Sequence, residues 1–274
     1  MIKIDDEDIK SNHALFLEAY KDAVNVPLTQ EGFMRKTFPK LAGKANRTYP
    51  YEVRIPKSIS EMLAGDFEPA RVITVTEPVQ GPWSPIWFGD ATDGVYLRAG
   101  YVDGNSSLVS DQRLDDATIH MILGGSTGQG KSVTLNSIIY GLCSEYAPWE
   151  VSLALCDAKI VEFKAYALET PLPHIRSIAA TGDSDYLVSV LQSVLDEMNK
   201  LQSVFALAGA QKISEFREKT RLCFPQHIII IDEFQTMFMN AKKRKNEIAE
   251  ILNKIIRLGR NAGYHLILAS QELG

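Results

Sequence analysis

The sequence predicts an α/β fold, in which helices flank a mostly parallel central sheet and a small helical region precedes it. Apolar runs alternate with helical patterns from about residue 118 onward, and a glycine cluster separates two of these segments. Such alternation is typical of strand-helix-strand units. The isoleucines at 228–231 form an unbroken β-branched run, which suits a strand buried on both faces.

Composition narrows the class of protein. A chain of 274 residues with 45% hydrophobic content can bury a full core as one large domain, with or without a smaller module. The net charge of -5 excludes a general affinity for polyanions, so nucleic acid would need a local basic patch. The 3 cysteines lack close pairing and suit buried reduced thiols. Without a secretory signal or a membrane span, we expect a cytoplasmic location, with the cytoplasmic face of the membrane and an anchored partner as the alternative.

Residues 1–78 differ in pattern from the rest of the chain. Apolar residues share one helical face in "SNHALFLEAYKDAV" (11–24), and "SISEMLAG" opens with Ser58 three places before Glu61, which predicts a helix start. The mixed segment "GKANRTYPYEVRIPKS" between them predicts a connector. We therefore expect a helical N-terminal region and connector over 1–78 and a second domain over 79–274.

The second domain is predicted to begin with a hairpin and to continue as strands and helices. Gly-Asp and Asp-Gly pairs separate short aromatic runs between residues 78 and 105, which predicts the hairpin. The predicted strands are 118–125, 151–157, 226–234 and 264–271. Helices are predicted after the first strand, from about residue 185 to 207, and between the third and fourth strands.

The segment Gly125–Ser132, "GSTGQGKS", fits the phosphate-loop pattern G-x-x-x-x-G-K-[ST] between a strand and a helix. Backbone N–H groups at a helix N-terminus suit the charge of ATP, and Gly125, Gly128 and Gly130 would supply the bend. Lys131 would bridge the terminal phosphates, and the Ser132 hydroxyl would complete the shell of Mg²⁺. The alternative is a glycine-rich connection without a ligand. The residues expected to bind the nucleotide are Gly125, Ser126, Thr127, Gly128, Gln129, Gly130, Lys131, Ser132 and Val133.

Two adjacent acids, Asp232 and Glu233, end the isoleucine strand. Asp232 would hold Mg²⁺, and Glu233 would polarise the attacking water. Parallel strands place their carboxyl ends at one edge of the sheet, so these acids and the phosphate loop are expected to meet there. The alternative is a strand that ends in solvent with charged residues.

Four motifs in order, "HMILGGSTGQGKSVTLNSII", "LCDAKIVEFKAY", "HIIIIDEFQTMFM" and "IIRLGRNAGYHLILASQ", resemble the motor domain of the FtsK/SpoIIIE family of DNA translocases, within the HerA-FtsK group. The resemblance covers about residues 80–274 and implies a RecA-like P-loop NTPase fold. It also implies a homo-hexameric ring that hydrolyses ATP at subunit interfaces and threads double-stranded DNA, or in secretion relatives a protein. Family motors continue beyond the last motif, so the domain is expected to be incomplete at its C-terminal end.

The resemblance assigns further residues. Gln271 matches the glutamine of the family's "ATQ" segment, which senses the terminal phosphate; the alternative is a solvent-facing side chain. Arg260 matches an arginine presented to the neighbouring subunit's nucleotide, with Arg257 as the competing choice and ordinary surface charge as the other alternative. Asp157 and Lys159 match the family's "DPK", with alanine in place of the proline, and are expected at the edge of the site.

The densest basic run lies in "AKKRKNE" and consists of Lys242, Lys243, Arg244 and Lys245. Such a run could bind DNA phosphates from a loop that faces the channel. It could also be a solvated start of a helix.

Three functions stay open at this point: a DNA-translocating ATPase of the conjugative, mobile-element or chromosome-segregation type, a protein-secretion motor of the same group, and an inactive nucleotide-binding subunit.

Overall fold

The structure is a computed structural model of the chain. It describes residues 50–76, 89–102, 105–126, 128–160, 162–163, 166, 173–241 and 244–271. The helix predicted over 11–24 lies outside the described residues. In chain order the elements are β1 (Tyr51–Ile55), α1 (Ile59–Leu63), β2 (Arg71–Val75), β3 (Val95–Val102), β4 (Asn105–Leu114), β5 (Met121–Gly124), α2 (Lys131–Glu145), β6 (Val151–Asp157), β7 (Ile175–Ala180), α3 (Ser184–Leu207), α4 (Ile213–Thr220), β8 (Gln226–Asp232), α5 (Phe234–Asn240), α6 (Lys245–Ala262) and β9 (Tyr264–Ser270).

The central sheet has five strands in the order β5-β9-β8-β6-β7, and every neighbouring pair is parallel. The predicted parallel α/β architecture is thereby confirmed. Since the strands are parallel, the ends of β5, β6, β8 and β9 lie along the same edge of the sheet. In the register, Asp157 pairs with Asp232 and Gly124 pairs with Ser270. Residues that directly follow these strands are therefore neighbours in space.

The isoleucine run of β8 packs on both faces of the sheet. Ile229 and Ile231 belong to one apolar cluster and Ile228 and Ile230 to the other, because side chains along a strand alternate. All four are buried, as predicted for a strand covered on both sides. Each buried isoleucine contributes about 1.5–3 kcal/mol through removal of apolar surface from water. The run therefore anchors the strand that carries the two acids.

Helices cover one face of the sheet, and a helix with the hairpin covers the other. Leu191 of α3 and Ile255 of α6 belong to the first cluster. Leu135 of α2 and Val95 of β3 belong to the second. The strands β3 and β4 pair antiparallel, which confirms the predicted hairpin, although the turn at 103–104 lies outside the described residues.

Within the second domain, three described elements escaped the sequence prediction: β7, α4 and α5. The strand β7 lies at the sheet edge, so only part of it is buried and its short "IRSIAA" has no continuous apolar run. Half of the residues of helix α4 are charged, and it buries only Ile213 and Phe216. The helix α5 is two turns long and starts directly after Glu233. Short or half-exposed elements leave a weak periodic signal.

Residues 50–76 differ in part from the predicted helical region. The helix start at Ser58 is confirmed, because its side chain and that of Glu61 form a capping box. The predicted connector, however, contains β1, which pairs antiparallel with β2. The alternating "YEVRI" lies between two prolines, and an extended backbone suits a residue that precedes a proline. Met62 is fully buried in the same cluster as α3, so this unit packs on the second domain; the boundary at residue 78 stays a prediction.

None of the helices in the described parts of residues 50–271 is both long enough and apolar enough to span a membrane. Cys143, Cys156 and Cys223 form no disulfide, and the first two are buried.

Candidate active site

The phosphate loop joins the end of β5 to the start of α2. Gly128 and Gly130 have φ angles of 81° and 83°, a left-handed backbone that favours glycine. Gly125 is not left-handed, and a Cβ there would have its closest contact at 3.7 Å. The bend therefore depends on two of the three predicted glycines. Gly130 is the N-cap of α2, and no side chain caps that end, so the first N–H groups of α2 face outward as they do in anion sites. Thr127 lies outside the described residues.

Lys131 meets both acids of β8. Its Nζ lies 2.8 Å from Glu233 Oε1 and also donates a hydrogen bond to Asp232 Oδ1. All three side chains are buried. The two segments predicted to share one ligand therefore lie in contact, although β9 separates their strands.

Glu233 turns the chain from β8 into α5 within one residue. Its φ of 51° is left-handed, a conformation that a residue with a side chain seldom adopts. Its own N–H donates to Asp232 Oδ1 at 2.9 Å. This sharp turn brings the Glu233 carboxylate back beside Asp232 and towards Lys131.

Burial and hydrogen bonding set the charge states of these groups. Burial alone would lower the pKa of Lys131, but hydrogen bonds to Asp232 and Glu233 outweigh it and raise that pKa above its usual value. Burial raises the pKa of Asp232. Burial opposes ionisation of Glu233 too, yet hydrogen bonds from Lys131 and Lys159 lower its pKa. The site therefore keeps a charged lysine against an ionised Glu233.

Lys159 is a direct neighbour of the acids, closer than the sequence predicted. Its Nζ lies 3.1 Å from Glu233 Oε2, so each oxygen of Glu233 has its own lysine. The loop that carries Lys159 follows β6, whose last residue pairs with Asp232. The short distance between these strand ends explains the contact.

Asp157 holds that loop through its carboxylate. Oδ1 accepts the N–H groups of Lys159 and Ile160 at 2.9 and 3.0 Å, and Oδ2 accepts those of Glu162 and Phe163 at 2.8 and 3.3 Å. Asp157 is fully buried. Four hydrogen bonds to one carboxylate fix the loop and so fix the position of Lys159. Asp157 therefore acts as the anchor of the loop.

Glu162 sits on the same loop and contacts the other side of the site. Ser132 Oγ donates to Glu162 Oε1 at 2.5 Å, and the Ser132 carbonyl accepts Asn136 Nδ2 at 2.9 Å. Tyr166 donates its hydroxyl hydrogen to Asn136 Oδ1. Sequence reasoning missed Glu162 as a site residue; its place in the acid-lysine-acid run directly after a strand end was the available signal.

The donors at this edge suit a magnesium nucleotide. The Asp232 carboxylate and the Ser132 hydroxyl are hard oxygen ligands of the kind that Mg²⁺ prefers. The described residues contain no group of three or more His, Cys, Asp or Glu arranged for a metal. Mg²⁺ in nucleotide sites takes one or two protein ligands and completes its shell with phosphates and water. The residues present fit that arrangement.

Gln271 follows the last residue of β9, the strand between the phosphate loop and the acids. The N–H of Gly125 donates to the Ser270 carbonyl at 3.2 Å, and Ser270 Oγ donates to Gln235 Oε1 on α5. These contacts tie the end of β9 to both halves of the site. Gln271 therefore lies at the predicted strand tip.

Val133, the last of the residues predicted to bind the nucleotide, is exposed on α2.

Arg260 lies at the opposite end of the strands, on the side where β9 begins. It precedes β9, whose seven residues end at the site, and at about 3.3 Å a residue the strand separates the two by roughly 20 Å. Arg260 is exposed and lines a cavity of about 290 Å³ together with Asp115 and Asp116. Arg257 is exposed one turn earlier on the same helix. Neither arginine is placed to contact the nucleotide of its own subunit.

The basic run is described only in part, because Lys242 and Lys243 lie outside the described residues. The Arg244 guanidinium donates to both oxygens of Glu247 at 2.7 Å and to Asp185 Oδ1 at 2.7 Å. Two carboxylates thus neutralise its charge. Lys245 is exposed at the start of α6. Of the two described members, only Lys245 presents an unpaired charge to a phosphate.

Comparison with known proteins identifies the family. A model described as the FtsK/SpoIIIE family matches residues 102–274. The chain belongs to the FtsK/SpoIIIE family. A curated DNA translocase FtsK from Helicobacter pylori, strain J99, is 30% identical over 224 residues, 80% of this chain and 24% of the relative. The FtsK of Caldanaerobacter subterraneus is 34% identical over 156 residues, 56% of this chain and 21% of the relative. The chain thus spans less than a quarter of these FtsK relatives.

Solved structures support the fold. The cytoplasmic domain of the type VII secretion ATPase EccC from Thermomonospora curvata matches with a TM-score of 0.54 at 25% identity, over 67% of this chain and 22% of the other. The pCW3 conjugation coupling protein TcpA, solved with ATPγS, matches with a TM-score of 0.54 at 19% identity, over 74% and 56% of the two chains. At 19% identity the second likeness concerns the fold alone. The predicted P-loop ATPase fold is confirmed.

Asp157→Asn tests the anchoring role of the carboxylate. Asparagine offers one acceptor oxygen and turns an NH₂ group towards two of the four N–H donors, so we expect a loss of about 1–3 kcal/mol of stability. Chemical denaturation measures that loss, and hydrogen exchange should accelerate at residues 159, 160, 162 and 163. Asp183→Asn is the matched control, because Asp183 caps α3 and asparagine is an equally good cap. Equal stability of the two variants would contradict the anchoring role.

Proposed function

We propose that this chain is an ATP-hydrolysing translocase motor that moves double-stranded DNA through a hexameric ring. The observation that carries the proposal is the contact of Lys131 with Asp232 and Glu233 at one edge of a parallel sheet. That contact unites a phosphate loop with a metal-binding acid and a water-activating acid. Membership of the FtsK/SpoIIIE family and the DNA translocases among its relatives support DNA as the cargo.

ATP binding requires Lys131 to change partners. Here its ammonium lies between two carboxylates; with ATP in place it would move to the β- and γ-phosphates, while the N–H groups of α2 bind the phosphate oxygens. Bound Mg²⁺ would supply positive charge that Asp232 and Ser132 position. Lys159 contacts the other oxygen of Glu233, so it would keep that carboxylate ionised and held in place after Lys131 has left.

Hydrolysis then depends on Glu233 and on groups around the γ-phosphate. Glu233 would orient the attacking water and accept its proton. Gln271, at the tip of β9, can donate to a phosphate oxygen and accept from water, so it would report the presence of the γ-phosphate to the sheet. Arg260 of the neighbouring subunit would neutralise charge that develops in the transition state. We place this motor in the cytoplasm, where a membrane-anchored partner could hold it.

A protein-secretion motor is the second candidate. Its support is the likeness to the EccC ATPase at 25% identity. The pairing of Arg244 with Asp185 and Glu247 also removes one of the four basic residues from the proposed DNA contact. The two candidates share the same chemistry at the nucleotide and differ only in cargo.

Glu233→Gln tests the catalytic assignment. Glutamine keeps the size of the side chain but cannot accept a proton, so we expect phosphate release to fall by about 10²–10⁴-fold while ATP binding is retained. Phosphate release with double-stranded DNA is the measurement, across a range of protein concentrations. Glu218→Gln, on the exposed side of α4, is the control. Turnover in Glu233→Gln at the rate of the unmodified chain would refute the role, and absence of turnover in the unmodified chain would refute the ATPase.

Mixing two inactive variants tests whether Arg260 acts on the neighbouring subunit. Arg260→Ala subunits keep an intact phosphate loop, and Lys131→Ala subunits keep the arginine, so random assortment restores roughly a quarter of the interfaces of a ring. We expect ATPase activity to reappear on mixing. A mixture of Lys131→Ala with Glu233→Gln should stay inactive, because both changes damage the subunit's own site. Recovery with Arg257→Ala in place of Arg260→Ala, and none with Arg260→Ala, would transfer the role to Arg257.

Replacing Lys242, Lys243 and Lys245 together by alanine tests the cargo. Removal of each phosphate contact should reduce the slope of log affinity against log salt by about 0.9, and DNA stimulation of the ATPase should fall. Arg244→Ala should have little effect, since its charge is already paired, and Lys200→Ala on α3 is the control for the loss of a single positive charge elsewhere on the surface. DNA stimulation that survives the triple change would favour a protein cargo.

A further inference from the structure

Glu162 accepts a hydrogen bond from a side chain that is predicted to bind the metal. The Ser132 hydroxyl, the predicted ligand of Mg²⁺, donates its hydrogen to Glu162 Oε1 at 2.5 Å. The acceptor belongs to a different segment of the chain, 30 residues further on. Glu162 is half-buried, so solvent competes only in part for this hydrogen bond.

The direction of that hydrogen bond decides what Ser132 offers a cation. A hydroxyl carries one hydrogen and two lone pairs. When the hydrogen points to Glu162, both lone pairs of Oγ remain free to bind a cation, and the neighbouring negative charge makes the oxygen a better donor. A hydroxyl without such an acceptor has no fixed orientation before the cation binds, so part of the binding free energy must be used to orient it.

The surrounding contacts fix both partners. The Glu162 N–H donates to Asp157 Oδ2 at 2.8 Å, so the loop holds Glu162 in place. On the other side, Asn136 Nδ2 donates to the Ser132 carbonyl at 2.9 Å, and Tyr166 holds the Asn136 amide. The pair is therefore positioned before any nucleotide arrives.

We propose that Glu162 is a positioning residue that orients the Ser132 hydroxyl towards the Mg²⁺ of a bound nucleotide. This inference rests on the proposed function. Glu162 acts through Ser132 and does not touch the reacting atoms. Its removal should weaken the metal contribution to nucleotide binding and leave the phosphate loop intact.

A magnesium titration of nucleotide binding tests the inference without any need for turnover. Binding of a fluorescent ATP analogue is followed by anisotropy, first in EDTA and then with increasing Mg²⁺. For Glu162→Ala we expect the Mg²⁺ concentration at half-maximal effect to rise by about 10–100-fold, as for other groups that orient a metal ligand, while binding in EDTA stays unchanged. Glu162→Gln keeps an acceptor oxygen and should show a smaller rise. Glu218→Ala is the control.

A double-mutant cycle tests whether Glu162 works through Ser132. In a Ser132→Ala background, Glu162→Ala should add nothing to the defect, because the hydroxyl that it orients is gone. Additive effects would overturn the inference, as would an unchanged Mg²⁺ midpoint in Glu162→Ala. Equal losses with and without Mg²⁺, or a lowered melting temperature in both Glu162 variants, would assign Glu162 a structural role instead. An unmodified chain that binds no magnesium nucleotide would refute the proposed function and this inference with it, whereas normal binding with an unchanged midpoint would refute the inference alone.

Discussion

The interaction on which the site depends is the burial of one ammonium group between two carboxylates. A charge removed from water is costly unless it is paired and hydrogen-bonded. Lys131 satisfies that requirement through Asp232 and Glu233, and Lys159 adds a second positive charge. With all four groups ionised, the two lysines balance the two acids. A triphosphate that drew Lys131 away would leave the acids with less compensating charge, and Mg²⁺ beside Asp232 would restore it, so the metal is expected to strengthen nucleotide binding.

The strand order determines which residues lie beside the lysine and the acids. Since β9 lies between β5 and β8, its end is the natural position for a group that contacts both the phosphates and the acids, and Gln271 occupies it. The same strand carries the chain back from the far edge, where Arg260 lies. The sheet thus places the proposed nucleotide site and the arginine proposed to serve a neighbouring subunit at opposite ends of its strands.

The parts that sequence predicted well are those with a strong local pattern. The isoleucines of β8 and the glycine-lysine-serine segment indicated both the strands and the site, and the structure brings Lys131, Asp232 and Glu233 together as expected. The contacts of Lys159 and Glu162 could not be predicted, because they depend on which strand ends are neighbours and on how one carboxylate folds a loop. The contact of Arg244 with Asp185 escaped for the same reason, because Asp185 is 59 residues away in the chain; the contact with Glu247 is local, three residues on. The strand β1 was missed because its alternating pattern lies among prolines and basic residues.

The anchor at Asp157 bears on which substitutions the loop can accept. Its carboxylate accepts the N–H groups of residues 159, 160, 162 and 163, and Ala158 is not among the donors. A proline has no N–H to give, so the "DAK" of this chain and the "DPK" of the family motif that it resembles both leave these four hydrogen bonds available. Residue 158 can therefore change while Asp157 still holds the loop and Lys159 still contacts Glu233.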